Sequence, residues 1–302
     1  MSDKTAIIII NLKESQDTLD CLDSLSKIEN PSFETILVNN QAPSKFIKSI
    51  QNEYPKVHLI NNQANLGFCR ANNQGAKLAQ KLGCKFICLL NNDTLIKSDF
   101  LQQLKQTFIK HRAGAVVPKI YFASGYEFHQ DRYSQSDQGK VIWYAGGQLN
   151  PKTISGQHFG VDQVDKGQFD QLKEIELATG CCFFTSLKIW QQFNGFDERF
   201  FVYYEDLDLS FRLKKANFKI IYQPQAVIWH KNAGSSGSGS PTHDYYLTRN
   251  QLLFARKHLS FSKQLPLYKQ ALKFLIAGRS GQRRGVLDFI FQRYDFNRHY
   301  SY

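Results

Sequence analysis

Long apolar runs are missing from this 302-residue sequence. No stretch approaches the roughly 18 to 20 residues that a bilayer-spanning helix needs. The opening run, residues 6–10, is too short for a signal-peptide core, and no small-residue cleavage site follows it. A cytoplasmic location is therefore expected. No Cys-x-x-Cys occurs among the six cysteines, which speaks against a zinc site or a disulfide frame and for reduced, mostly buried thiols. A Walker loop and a Gly-x-Gly-x-x-Gly turn are also missing, so P-loop kinase and dinucleotide oxidoreductase readings lose support. Proline is scarce, at 8 residues, while hydrophobic residues reach 42% and aromatics 14%. Disorder, collagen and low-complexity readings are thereby excluded. Acidic residues are outnumbered, 26 against 38 basic, and the net charge is +12.

What is present alternates strand and helix signals. Residues 6–11, 34–38, 57–61 and 86–90 are short apolar runs of strand type, and residues 18–28, 46–53 and 71–82 carry apolar side chains at helical spacing. This order predicts an α/β domain with a largely parallel sheet. In such sheets ligands bind beyond the carboxyl ends of the strands. Each of these ends carries amides or a carboxylate: Asn11, Asn39-Asn40, Asn61-Asn62 and Asn91-Asn92-Asp93. Together they suggest a polar ligand floor. Residues 121–170, rich in Gly, Gln, Asp and Tyr, read as loops and short antiparallel strands. Strand and helix character resumes over 174–189. Residues 205–216 read as a helix, 219–222 and 226–229 as strands, and 234–240 as a Gly/Ser-rich loop able to close over a ligand.

Several groups could carry chemistry. Asp93, after an apolar strand, is placed to hold a divalent cation, since Mg²⁺ is usually bound by one or two carboxylates plus substrate phosphates; the same triplet also serves as an Asx turn that stops a strand. Glu205-Asp206 stands at a helix start, where the helix dipole favours acidic residues. Pairing and burial among aromatics would raise their pKa toward general-base strength. Asp208 precedes Arg212 by four residues and fits a helix-face ion pair. His230 ends a strand and becomes a ligand only if the fold brings it near Asp93. Asn65, Gly67, Arg70 and Asn73 occupy a loop entering a helix and fit a diphosphate cradle.

These segments, in order, are IIIINLKES, ILVNNQAPS, NLGFCRANNQG, LLNNDT, GCCFFTS, the run from FNGFDERFFVYYEDLDLS to IWHKNAGSS, and YYLTRN. Over residues 7–257 they resemble the family 2 glycosyltransferases, in particular bacterial rhamnosyltransferase-like members that build surface polysaccharides. The resemblance implies a GT-A (Rossmann-like) fold: a mixed, mainly parallel sheet flanked by helices. It also implies an inverting transfer of sugar from a nucleoside diphosphate donor, with Mg²⁺ or Mn²⁺ as cofactor. On that basis Asn39 stands where the family has an Asp that recognises the base, and Asn65, Gly67, Arg70 and Asn73 line the nucleotide and diphosphate pocket. Asn91-Asn92-Asp93 stands at the family's Asp-x-Asp position, with Asp93 on the metal and His230 completing its site. Asp206 matches the base position best and Glu205 is the second candidate. Arg249 and Asn250 are candidates to contact phosphate once the Gly/Ser loop closes. Phe200, Phe201, Tyr203 and Tyr204 are candidates for a sugar-stacking wall, with core packing the alternative. dTDP-rhamnose is the first donor implied, with UDP-glucose, UDP-galactose and UDP-galactofuranose as alternatives. The acceptor is a saccharide, free or polyprenyl-linked.

The resulting division is a transferase domain over 1–255, with a donor half (1–120) and an acceptor half (121–255), and a basic amphipathic helical tail over 256–302. The tail holds ten Lys/Arg against two Asp, eight of the twelve net positive charges. It suits contact with a membrane surface from the cytoplasmic side, or a helical pair packed on the main domain, or a homodimer contact. Without a stacking motif or recognition helix, nucleic acid is not expected as a partner. Two other classes compete with an enzyme: an idle sugar-nucleotide or glycan-binding module, favoured by Asn at 39 and 91, and a membrane or nucleic-acid adaptor built on the tail.

Overall fold

The computed structural model describes residues 3–28, 33–232 and 239–294. The chain begins with β1 (Thr5–Asn11), α1 (Gln16–Ser26), β2 (Phe33–Asn40), α2 (Ser44–Glu53), β3 (His58–Asn62), α3 (Gly67–Lys81) and β4 (Phe86–Asn91). Ile7, Ile8 and Ile9 of β1 are fully buried on both faces, as a central strand covered by helices on either side requires. β1 pairs in parallel with β2 and with β4, and β2 with β3. The register aligns Asn11 with Asn39, Asn39 with Asn61 and Asn40 with Asn62, while Asn91 stands opposite Ile10. The expected row of amides at the strand ends therefore exists.

The second half continues with β5 (Thr94–Ile96), α4 (Phe100–His111), β6 (Ala115–Phe122), β7 (Ile142–Tyr144), β8 (Gly147–Asn150), β9 (Ser155–His158), β10 (Lys173–Ile175), β11 (Cys182–Ser186), α5 (Leu187–Gln192), α6 (Glu205–Lys215) and β12 (Ile220–His230). Three helices follow: α7 (Pro241–His258), α8 (Phe261–Ala277) and α9 (Ser280–Ile290). The main sheet runs β10-β12-β6-β11-β4-β1-β2-β3, with β5 on β12 and β7 on β6; β8 and β9 form a separate hairpin. β11 enters antiparallel between β4 and β6, and β12 returns to parallel pairing on β6.

Three local differences from the sequence expectation occur, the first with a clear physical reason. The strands expected at 219–222 and 226–229 are one strand, β12, whose register on β6 shifts between Gln223 and Val227. Pro224 lies in that gap and has no N–H for the ladder. α3 begins at Gly67, four residues before the expected start, so Arg70 and Asn73 lie on its opening turns rather than in a loop. α4 and β6 form where the sequence analysis assigned no element. The Gly/Ser loop expected at 234–240 lies, for residues 234–238, outside the described residues; Ser240 caps α7 by accepting from His243 N. All six cysteines are free and buried.

Candidate active site

The segment 178–181 leads into β11 and collects the chemistry. The first turns of α6 lie along it: Gly180 N donates to Asp206 Oδ2 at 3.0 Å and Ala178 N to Ser210 Oγ at 3.0 Å. Leu207 N donates to Asp206 Oδ1 at 2.8 Å, so both carboxylate oxygens are fixed. Glu205 is buried beside it, and its Oε2 has no hydrogen-bond partner. Burial raises both pKa values, and the Asp206 charge pushes that of Glu205 well above the usual carboxylate range. Backbone donors oppose the rise at Asp206. Of the pair, Glu205 is pushed further toward its protonated form than Asp206.

One residue further on, Cys181 faces the second pair. His230 Nε2 lies 3.0 Å from Asp93 Oδ1. β12 pairs with β5 so that His230 stands opposite Thr94, and Lys231 N donates to Asp93 O at 2.9 Å. The sheet therefore sets this meeting of residues 137 positions apart. Burial opposes a charged His230 ring, but the Cys181 and Asp93 side chains outweigh it and carry its pKa up to about 10. Trp143 packs edge-on against His230 at 4.6 Å and against His158 at 5.0 Å. Burial drives the His158 pKa down to about 4, leaving a neutral imidazole.

A cavity of about 540 Å³ opens over Asp206 and Glu205. Its walls are the β8–β9 hairpin with His158, the turn at Tyr203 and Tyr204, α7, and the two last helices through Gln270, Phe274, Arg279 and Gln282. The sequence carried no signal for His158, nor for Gln270, Phe274, Gln282 and the α9 N-cap Arg279 as cavity-lining groups.

The donor side borders the same segment at Phe68 and at Asn91, whose N–H donates to Cys181 O at 2.9 Å. Gly67 has φ +81°, and a Cβ there would lie 2.4 Å from the Phe201 ring. A Cβ on Gly180 would lie 3.3 Å from the Phe68 ring and 3.5 Å from Glu205 Oε1. Arg70 Nε is 3.9 Å from Glu198 Oε2, with the side chain 42% exposed. Asn65 Oδ1 accepts from Asn40 Nδ2 and Gly67 N and shapes the turn. Asn73 is engaged elsewhere: it donates to Phe196 O and Glu198 Oε1 and accepts from Phe196 N. Asn39 is buried and exchanges hydrogen bonds with Ala42, accepting from its N–H at 2.8 Å. Asn92 Nδ2 donates to Thr18 Oγ1, which donates to Asn11 Oδ1. Asn11 Nδ2 is buried without a partner, and Asn91 ends β4 beside it.

Arg249 is placed differently from the sequence expectation. It is 1% exposed, and its guanidinium donates to Arg199 O, Phe200 O, Asn250 Oδ1 and Tyr245 Oη. Asn250 Nδ2 faces the carbonyls of Phe200, Val202 and Tyr203, each at 2.8 Å. These two residues clamp a turn in which Phe201, Tyr203 and Tyr204 hold φ of 66°, 66° and 73°, a left-handed backbone that costs non-glycine residues about 1–3 kcal/mol each. The aromatics divide as well. Phe200 is core, Phe201 stacks on Tyr246 at 5.2 Å, and Tyr203 and Tyr204 line the cavity. Asp208 pairs with Arg212 as expected and also with Lys257 and His258.

Residues 3–243 match the family model described as "Glycosyltransferase like family 2". The chain belongs to this family. It is thus a glycosyltransferase, and the resemblance drawn from its motifs is borne out. It is 23% identical over 281 residues to the low-salt glycan biosynthesis hexosyltransferase Agl10 of Haloferax volcanii, covering 92% of this chain and 83% of that one. It is 24% identical over 252 residues to an N-acetylglucosaminyl-diphospho-decaprenol L-rhamnosyltransferase of Mycobacterium tuberculosis, covering 80% and 81%. Among solved structures, GalNAc-T7 with UDP, GalNAc and Mn²⁺ matches at TM-score 0.65 and 13% identity, over 94% of this chain and 54% of that one. TarS 1–349 of S. aureus matches at TM-score 0.57 and 12% identity, over 95% and 79%. The expected GT-A fold is the one observed. No helix among the described residues is long and apolar enough to cross a membrane.

Proposed function

We propose that this family 2 enzyme transfers a sugar, with inversion, from a nucleoside diphosphate donor to a lipid-linked or free saccharide in surface glycan synthesis. The observation that carries the reading is the segment 178–181, with the Asp206 carboxylate held on its Gly180 amide and the Asp93–His230 pair beside Cys181. A single displacement needs a base on the face opposite the leaving diphosphate. Asp206, charged and lining the cavity, takes the proton of the acceptor hydroxyl. Glu205 remains protonated behind it and keeps a second negative charge away from the reacting face. The opening turn of α3 and Arg70 receive the donor diphosphate.

Asp93 and His230, the latter on losing its ring proton, would hold Mg²⁺ or Mn²⁺. No group of three His, Cys, Asp or Glu suited to a metal occurs among the described residues. Two donors fit an ion whose remaining ligands are diphosphate oxygens and water. When bound, the ion neutralises charge on the leaving diphosphate. The relatives' names support a hexose or rhamnose as the sugar and a decaprenyl diphosphate-linked saccharide as the acceptor, which would hold the enzyme at the cytoplasmic membrane surface.

A thermal-shift panel of dTDP- and UDP-sugars with Mn²⁺ identifies the donor, and transfer from that donor to a polyprenyl-diphosphate-linked N-acetylglucosamine, with the product anomer read by NMR, tests the reaction. dTDP-rhamnose is the expected hit; selective stabilisation by a UDP-sugar replaces it. Asn at positions 39 and 91 favours a second reading, an idle binding module. Donor stabilisation without turnover, with or without Mn²⁺, would establish that reading.

A further inference from the structure

The helices α8 and α9 have unlike faces. Leu267 and Ala271 of α8 and Val286 and Phe289 of α9 are buried. Gly281 and Gly285 bring α9 so close to α7 that a Cβ at either would lie 2.1 Å from Pro241 O or 2.7 Å from Tyr245 O. The pair is thus fixed on the domain. Gln270 and Phe274 of α8 and Gln282 of α9 line the cavity. On the outer face of α8, Phe261, Leu265, Leu272 and Ile276 are exposed by 69, 42, 60 and 73%. At about 100° per residue these four fall within an arc of about 60°. On α9, Leu287, Ile290 and the following Phe291 are likewise exposed, with Arg283 one turn before Leu287. Arg283 Nη2 donates to Ile276 O at 3.3 Å, so the two stripes adjoin.

We propose that this outer face seats the enzyme on an anionic lipid bilayer. The inference deepens the acceptor reading above, and rests on it only for its purpose. Its cations are Lys263, Lys269, Lys273 and Arg283; Arg279, Arg284 and Arg293 are paired with Asp244 and Asp288, and Asp288, the one acid of residues 259–294, is buried and accepts from Tyr245 Oη at 2.9 Å. Apolar side chains flanked by Lys and Arg match the boundary between anionic headgroups and acyl chains. Phosphodiester backbones would leave the exposed Leu, Ile and Phe uncovered. A second copy would set one cationic face against another.

The test is co-sedimentation of the full chain with vesicles of phosphatidylcholine alone and of equal parts phosphatidylcholine and phosphatidylglycerol. The expected result is capture by the anionic vesicles only, reversed by high salt. Leu272→Glu with Ile276→Glu should weaken capture by at least about tenfold while Tm and donor-induced thermal shift stay unchanged. Should that pair lower Tm, Lys269→Glu with Lys273→Glu gives the same test through charge. Failure to bind anionic vesicles, equal binding to both kinds, or unaltered binding by a folded variant overturns the proposal. So does a wild-type dimer, seen by ultracentrifugation, that the Leu272/Ile276 variant splits. Capture by a chain that transfers no sugar supports the docking face and sinks the transferase reading instead.

Discussion

The amide of Gly180 holds Asp206: its N–H donates to Oδ2 across 3.0 Å, and the neighbouring Cys181 faces His230. One short stretch of backbone thus spaces the carboxylate that would take a proton from the groups that would hold a metal.

Asp206→Asn removes the base and keeps the shape, but its single amide oxygen can accept only one of the two backbone hydrogen bonds that the carboxylate accepts. Sugar transfer should fall by about 10²–10⁴-fold, with the donor-induced thermal shift retained. In the wild type, burial holds the Asp206 pKa above the ordinary Asp value. kcat/KM should therefore fall as pH drops through that raised value, and steady-state kinetics across pH would show it. A variant with normal turnover would remove Asp206 from the role of base.

Glu205→Gln addresses the retained proton. The folded Glu205 pKa is raised by burial and by Asp206, so the native state binds a proton that the unfolded chain releases above about pH 4.3. The stability this proton provides is present below that pH and is lost as pH rises toward the folded value, by about 1.4 kcal/mol per pH unit. Gln carries no such dependence. Urea melts should show the variant level with the wild type near the unfolded pKa and increasingly more stable toward neutrality. Parallel curves would show that Glu205 is ionised in the native state.

Much of this was legible in the sequence, and what was not has identifiable causes. The strand-end amides were read correctly because a buried β-branched run and its polar terminator are contiguous. Asp93 and His230 were paired only by the family resemblance, because the register of β12 on β5 that brings them together is long-range and local periodicity does not encode it. α4 had a readable pattern, with Phe100, Leu101, Leu104 and Phe108 buried on one face, and passed unassigned beside the chemistry-bearing triplet. Arg249 was expected near phosphate because arginine suits anions; its burial depends on two backbone carbonyls, those of Arg199 and Phe200, that composition cannot reveal. His158 enters the cavity wall only because the β8–β9 hairpin folds over it.

Asn250→Ala should release the aromatic turn. Three carbonyls would lose their shared donor, a cost of about 1–3 kcal/mol, and the left-handed residues before Glu205 could relax. The expected outcome is a lower Tm together with a fall in kcat that exceeds the change in donor affinity. Equal losses in both would make Asn250 a purely structural residue.

Gly67→Ala places a methyl group 2.4 Å from the Phe201 ring at a φ of +81°. Either the ring moves or the first turn of α3 does. Donor affinity should drop by about tenfold, with a stability loss of about 1–2 kcal/mol, as isothermal titration and thermal melts would record. Unchanged donor binding would place the diphosphate away from α3.

Asp93→Asn and His230→Ala each remove one of the two proposed protein ligands. Each should raise the Mn²⁺ concentration giving half-maximal activity by about 10–100-fold, and chelation should abolish wild-type transfer. Activity that survives chelation would exclude the metal role.

The amide row on β1, β2 and β3 has a consequence for selectivity. Asn11, Asn39, Asn40, Asn61 and Asn62 are electrically neutral, so a donor base seated at that end of the sheet, as proposed, would be sorted by where its donors and acceptors fall and not by attraction between ions. Discrimination among heterocycles at that end of the sheet should hold steady across ionic strength, whereas the grip on the phosphates weakens as salt rises.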